Sequence, residues 1–197
     1  MSESGDPRRG REGEIPGAGV LGMWIFLAAL TVLFLASIAG YLIVRMKAEA
    51  WPPPGMPRLP SGLWLATGLL LAGSVTVHLA LSKIRRGQRT AAVRYLSATL
   101  TLALLFLITQ TWNWWGLVAA KMTATTKNLY AFTFFMLTGL HAAHVVGGVI
   151  LLAVVTAKAA RGRYGSGRHG GITYAAMYWH FLDAIWLVLF GVLVVFA

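Results

Sequence analysis

Five ionisable side chains lie inside otherwise uncharged apolar stretches of the chain: His78, His141, His144, His180 and Asp183. His141 and His144 are three residues apart, as are His180 and Asp183, and residues so spaced share one side of a helix. Ionisable groups in lipid are costly and come with partners, so three chemistries are open to this set. Two level histidines on neighbouring spans would hold a haem axially, and His144 with His180 is the pair to consider. His141, His144 and Asp183 would instead make a proton or ion path, as in a transporter. The third reading, and the one favoured, is an internal polar network of His141, His144, His180 and Asp183 that fixes helix packing. The sequence has no cysteine, which removes disulfides, thiolate nucleophiles and cysteine-ligated metal from consideration.

The elements that must position these groups follow from composition. Of 197 residues, 57% are hydrophobic and 12% charged, against about 25% charged in a soluble domain. A water-soluble enzyme and a disordered chain are thereby excluded. The net charge of +11 would raise nucleic acid in a soluble protein, but here the basic residues cluster between apolar runs. No nucleic-acid partner is expected. Residues 15–44, 59–82, 95–120 and 128–157 carry no Asp, Glu, Lys or Arg, and 170–197 carry only Asp183. A bilayer core needs about 20 apolar residues per helix, so each stretch supplies one span. Runs this apolar do not alternate as barrel strands do.

The fold class read from this is an all-α integral membrane protein, a five-transmembrane-helix bundle with spans at about 20–44, 61–82, 95–118, 129–157 and 172–196. Residues 1–19 read as a flexible tail and 20–197 as one membrane domain. Ala48-Glu49-Ala50 imitates a signal-cleavage site, but a signal h-region is only about 7–15 residues long; a retained anchor is expected. The segment Trp51-Pro52-Pro53-Pro54-Gly55-Met56-Pro57 is too proline-rich for helix.

Twelve Lys and Arg fall on the side of the N-terminus and five on the other. The positive-inside rule then sets the N-terminus in the cytoplasm and the C-terminus outside. At about 1.5 Å per residue, His144 lies about 20 Å from the cytoplasmic end of its span, Asp183 about 16 Å and His180 about 12 Å. His144 and His180 thus differ by about 8 Å in depth, which argues against a haem pair. His78, about 6 Å in, reaches the interface. Gly68, Ala72, Thr76 and Ala80 form one small-residue stripe, and Gly139, Ala143 and Gly147 another; such stripes let helices approach closely. Trp112, Trp114 and Trp115 are placed in an interfacial belt. Trp179 and Trp186, one turn either side of Asp183, are expected in packing or lipid contact.

Two strings carry a family resemblance. Thr138-Gly139-Leu140-His141-Ala142-Ala143-His144-Val145-Val146-Gly147-Gly148 resembles a signature of subunit III of haem–copper oxidases, Thr-Gly-Phe/Leu-His-x-x-His-Val-x-x-Gly. Tyr178-Trp179-His180-Phe181-Leu182-Asp183-Ala184-Ile185-Trp186 resembles that family's Tyr-Trp-His-Phe-Val-Asp-x-x-Trp. Gly22-Met23-Trp24-Ile25-Phe26-Leu27-Ala28 is similar to the opening of the family's third helix, so the likeness runs over nearly the whole chain. The chain looks like a short, five-helix member.

It departs from the pattern at two acids: Ala29-Leu30 stands where the family has Ser-Glu, and Asn113 takes the acidic position after Gln110. The resemblance implies an accessory, non-redox subunit of a proton-pumping terminal oxidase that reduces oxygen to water in the aerobic respiratory chain. It also implies partnership with oxidase subunits I and II and with membrane lipids, and location in a bacterial-type inner membrane. Haem and copper would belong to the partner subunits, phospholipid to this one, and no catalytic, cofactor or metal residue is assigned here. The alternatives are a related accessory subunit of a nitric oxide reductase and a small His/Asp proton-coupled transporter.

Overall fold

A computed structural model describes residues 18–57, 59–123 and 128–196. They form five α-helices: α1 (Ala18–Lys47), α2 (Gly62–Arg85), α3 (Arg89–Ala119), α4 (Leu129–Ala160) and α5 (Gly170–Val195). Each is long and apolar enough to cross a membrane. The expected tail, 1–19, lies almost wholly outside the described residues, and α1 already begins at Ala18.

The helices run further into the basic segments than the charge-free stretches indicate. Arg89 and Arg94, expected ahead of the third span, belong to α3, and only residues 86–88 separate α2 from α3. Arginine is a good helix former, and at a helix end its long stem keeps the charge at the surface.

Three helices close in the same way. Gly87 and Gly162, at φ +73° and +76°, follow α2 and α4. Their amides donate to Ile84 and Ala159, and the next amides donate to Lys83 and Lys158. This paired pattern satisfies carbonyls that the helix itself leaves free. After α3 the same turn is made by Lys121 at φ +64°, with Met122 N–H donating to Leu117 O. Met122 is fully buried there beside a buried Leu117, the apolar contact that accompanies this motif. At the start of α4, Asn128 Oδ1 accepts from the amide of Ala131 at 3.0 Å, an N-cap.

The buried residues of α2 and α3 fall on seven-residue repeats. Leu63, Leu70, Val77 and Ile84 alternate with Ala66, Gly73 and Ala80. On α3, Ala92, Thr99, Phe106 and Asn113 alternate with Leu96, Ala103, Gln110 and Leu117. This is the spacing of helices that cross at a shallow angle with interlocking side chains, and α2 with α3 is the most extensively packed pair in the chain. A hydroxyl–hydroxyl bond, Thr76 to Thr99 at 2.8 Å, crosses the seam.

Helices α2, α3, α4 and α5 form a ring in which each touches the next and α5 returns to α2. Helix α1 stands outside this ring, against α4 and α5. Its buried face is a single stripe, Leu27, Leu30, Phe34, Ile38 and Tyr41.

The small-residue stripes hold only in part: Ala80 is buried on the α2–α3 seam and Thr76 bonds across it, but other members face outward. Gly68, Ala72, Ala143 and Gly147 are exposed. The close approaches are made one position along, at Gly73 and Gly148. Trp179 of α5 wedges between them: a Cβ on Gly73 would lie 3.1 Å from its indole nitrogen, and one on Gly148 3.6 Å from its ring. In lipid an outward glycine costs no more than an inward one, so residue type alone does not tell the two faces apart.

Candidate functional site

The two histidine-bearing strings lie on adjoining helices, α4 and α5, yet their polar side chains do not converge on one point. Three residues advance a helix by about 300°, which leaves side chains about 60° apart. That offset is enough to give His141 and His144 different surroundings, and His180 and Asp183 likewise.

His141 is fully buried in an aromatic enclosure. Its ring centroid lies 4.9 Å from Trp186, 6.0 Å from Phe106 and 6.3 Å from Phe34. Neither ring nitrogen has a hydrogen-bond partner. His144, half-buried, lies 5.1 Å from Phe34 and places Nδ1 2.7 Å from the carbonyl of Leu140. A carbonyl only accepts, so Nδ1 carries the hydrogen. The backbone carbonyl of His144 in turn accepts from the Tyr178 hydroxyl at 3.0 Å.

His180 points elsewhere. It is exposed, its Nδ1 is 2.6 Å from Ser74 Oγ on α2, and its ring is 6.2 Å from that of His78. Asp183 is buried. Neither of its carboxyl oxygens has a hydrogen-bond partner.

The single network of His141, His144, His180 and Asp183 is therefore corrected. No hydrogen bond joins any two of the four among the described residues. They separate into an aromatic-walled pair facing α1 and α3, and a second group on the α2–α5 seam. Trp179 and Trp186, each 1% exposed, serve packing within the bundle rather than lipid contact. Trp186 Nε1 donates to Thr67 Oγ1 at 2.9 Å, which ties α5 to α2. The belt divides as well: Trp112 and Trp115 are more than two-thirds exposed, whereas Trp114 donates to Thr138 Oγ1 on α4 at 3.1 Å.

Ser74, Thr67 and Thr138 are the polar partners that the sequence reading missed. A lone hydroxyl on an apolar helix carries no pattern, because it is satisfied as readily by its own helix as by a neighbour. The two positions where acids were expected by resemblance are both buried: Leu30 in the α1 stripe and Asn113 on the α2–α3 seam, beside Gly62. Among the described residues no group of three or more His, Asp or Glu is disposed to hold a metal ion.

Comparison with known proteins identifies relatives of this chain. The chain is 34% identical over 177 residues to cytochrome c oxidase subunit 3 of Synechocystis, covering 89% of this chain and 74% of that one. It is 30% identical over 181 residues to the protein of the same name from Thermostichus vulcanus, covering 91% and 88%. With that of the lancelet Branchiostoma lanceolatum it shares 34% over 170 residues, 85% of this chain but 62% of the longer animal protein. The family model described as Cytochrome c oxidase subunit III matches residues 17–197, which take in both histidine strings and all but the first sixteen positions, and on this ground the chain belongs to the cytochrome c oxidase subunit III family.

Proposed function

We propose that the chain is the accessory subunit III of a proton-pumping terminal oxidase that reduces oxygen to water, a subunit of an oxidoreductase complex that is not catalytic alone. The observation that carries this reading is the family match over residues 17–197 on a bundle of five membrane-length helices. Haem and copper then reside in partner subunits I and II. Of the intramembrane histidines, the fully buried His141 has its nitrogens walled in by aromatic rings.

The asymmetry of Lys and Arg supports an N-terminus in the cytoplasm and a C-terminus outside a bacterial-type inner membrane. Phospholipid occupies the open apolar grooves. One of them is a space of about 660 Å³ between α1 and α5, lined by Trp24, Leu27, Ala28, Thr31, Met177, His180 and Phe181.

Affinity purification of a tagged chain from its native membrane tests the proposal. Oxidase subunits with haem and copper spectra should accompany the tagged chain, and stripping them away should leave it without stoichiometric iron or copper. Recovery with a nitric oxide reductase, or alone with ion flux after reconstitution, would overturn it.

A further inference from the structure

Two surface grooves on the basic side of the bundle meet at a pair of histidines. The shallower, about 240 Å³, runs over the end of α2 and is lined by His78, Ser82, Arg85 and Arg86. The deeper is the apolar trough of about 660 Å³ between α1 and α5, whose lining includes Trp24, Ala28, Thr31 and His180. The His180 ring centroid lies 6.2 Å from that of His78, and both residues are exposed. The accessory role does not call on this histidine pair.

Depth orders these groups. With five spans in succession, the end of α2 lies on the same side of the bundle as the starts of α1 and α5. At about 1.5 Å per residue from Arg85, the last residue of α2, Ser82 is about 5 Å in and His78 about 10 Å. Counted from the starts of α1 and α5, the trough runs from about 9 Å at Trp24 to about 20 Å at Thr31, with His180 at about 15 Å. Side chains on a helix lean toward its N-terminus. His78 therefore leans inward and His180 outward, and the rings meet between the two depths. Ser74 Oγ, 2.6 Å from His180 Nδ1, holds the second ring at this junction.

Going inward, the surface presents two guanidinium groups, a hydroxyl, two imidazoles and then apolar walls. A phospholipid presents the complement in the same order: phosphate, ester groups, acyl chain. Arginine binds phosphate oxygens through a planar fork, and a neutral imidazole has one N–H to give to a carbonyl. Charge decides among phospholipids. Among the described residues no carboxylate stands at this end, since Glu49 follows α1 on the far side and Asp183 is buried within α5. A zwitterionic headgroup would bring an ammonium with nothing to meet it; an anionic one brings none. Nearby Arg89 is engaged otherwise, by the carbonyls of Ala159 and Ala160.

We infer that the end of α2 and the α1–α5 trough form one binding site for an anionic phospholipid. Its phosphate lies on Arg85 and Arg86, its ester groups meet Ser82 and His78, and an acyl chain passes His180 into the trough. This deepens the phospholipid reading of the trough and rests on it; it does not rest on the oxidase role.

The test is native mass spectrometry of the full chain in detergent, titrated with phosphatidylglycerol, phosphatidylcholine or inorganic phosphate. The parent should retain one phosphatidylglycerol in preference to phosphatidylcholine, and inorganic phosphate should not displace it. A basic residue near the membrane surface gives about 5-fold in attraction for anionic lipid. Arg85→Gln combined with Arg86→Gln should therefore weaken phosphatidylglycerol about 25-fold. Phosphatidylcholine should bind that variant as it binds the parent, which also reports an intact fold. Arg161→Gln combined with Arg163→Gln removes the same charge from the same side, away from the groove, and should change little. Ala28→Trp, which fills the trough, should weaken both lipids. The inference is overturned by equal retention of the two lipids in the parent, by displacement with phosphate, or by full retention in Ala28→Trp. Equal losses in the two double variants overturn it as well, because they assign the preference to the diffuse charge of the whole face. Retention of neither lipid by the parent would overturn the phospholipid reading of the trough along with it.

Discussion

Arg89, the first residue of α3, caps the end of α4: its Nε donates to the carbonyl of Ala159 at 3.1 Å and its Nη2 to that of Ala160 at 2.5 Å. A cation at a helix C-terminus meets the negative end of the helix dipole and satisfies carbonyls that lack an intrahelical donor. Arg89→Ala should lower stability by about 1 kcal/mol, less in high salt. Lysine, a point charge without the planar fork, should restore only part of the loss. Gly162 lies under the same guanidinium, where a Cβ would come 2.7 Å from Nη1, and it holds a positive φ. Gly162→Ala should therefore cost more than Arg89→Ala, and the two should be non-additive in a double-mutant cycle read by thermal unfolding in detergent.

The glycines on the Trp179 wedge should be intolerant of bulk. Gly73→Val and Gly148→Val should each cost about 1–3 kcal/mol by overpacking, because Trp179 is buried and has no room to yield. Gly68→Val, where nothing lies within 4 Å of the new Cβ, should melt like the parent. Equal losses at Gly68 and Gly73 would mean that α2 presents a different face to α5.

Asp183→Leu should fold and assemble as well as the parent or better. A buried carboxyl group whose oxygens find no complete hydrogen bond costs about 1–3 kcal/mol, and an apolar side chain of similar size removes that cost. No imidazole is left stranded, since none bonds to Asp183. The measurements are the unfolding midpoint and the yield of partner subunits co-purified with the variant chain. A marked fall in both would show that Asp183 anchors its surroundings through contacts of its own.

Trp186 should separate a hydrogen-bond loss from a cavity. Trp186→Phe removes the donor to Thr67 but keeps a ring beside His141 and Phe106. It should cost about 1 kcal/mol, because Thr67 still bonds the carbonyl of Leu63. Trp186→Ala empties the aromatic enclosure and should cost about 3–5 kcal/mol. Matching losses in detergent-solubilised chains would assign the whole effect to the lost hydrogen bond.

The five spans were legible because charge is expelled from hydrocarbon: the interruptions at Arg45, Lys83, Lys121 and Lys158 lie at or next to helix ends. The direction each helix faces was far less so. In water a helix advertises its buried side by contrast with a polar one. In lipid both sides are apolar, so Gly68 and Gly73 look alike although one is outward and the other packs against a tryptophan. The polar group pairs failed for a related reason. Spacing of three residues places His180 and Asp183 within one broad sector, but their partners are chosen by what the neighbouring helix brings to that depth. Only the packed structure shows that α2 brings Ser74 and His78 to His180, whereas α3 and α1 bring phenylalanines to His141.

The position of α1 sets a problem of timing during synthesis. It leaves the ribosome before the other four described helices, its neighbours α4 and α5 are the later-made of these, and α5 begins more than a hundred residues after α1 ends. At about 5–20 residues per second α1 waits about 4–16 s in the bilayer before α4, the earlier made of these two neighbours, begins to follow, while α2 and α3 can pair at once. Its exposed face of Leu21, Trp24, Ile25, Val32 and Leu35 suits such a wait, because a helix this apolar is stable in lipid alone and can dock late. A chain arrested after α3 would leave a paired hairpin and an unattached first helix, a distinctive target for membrane quality control.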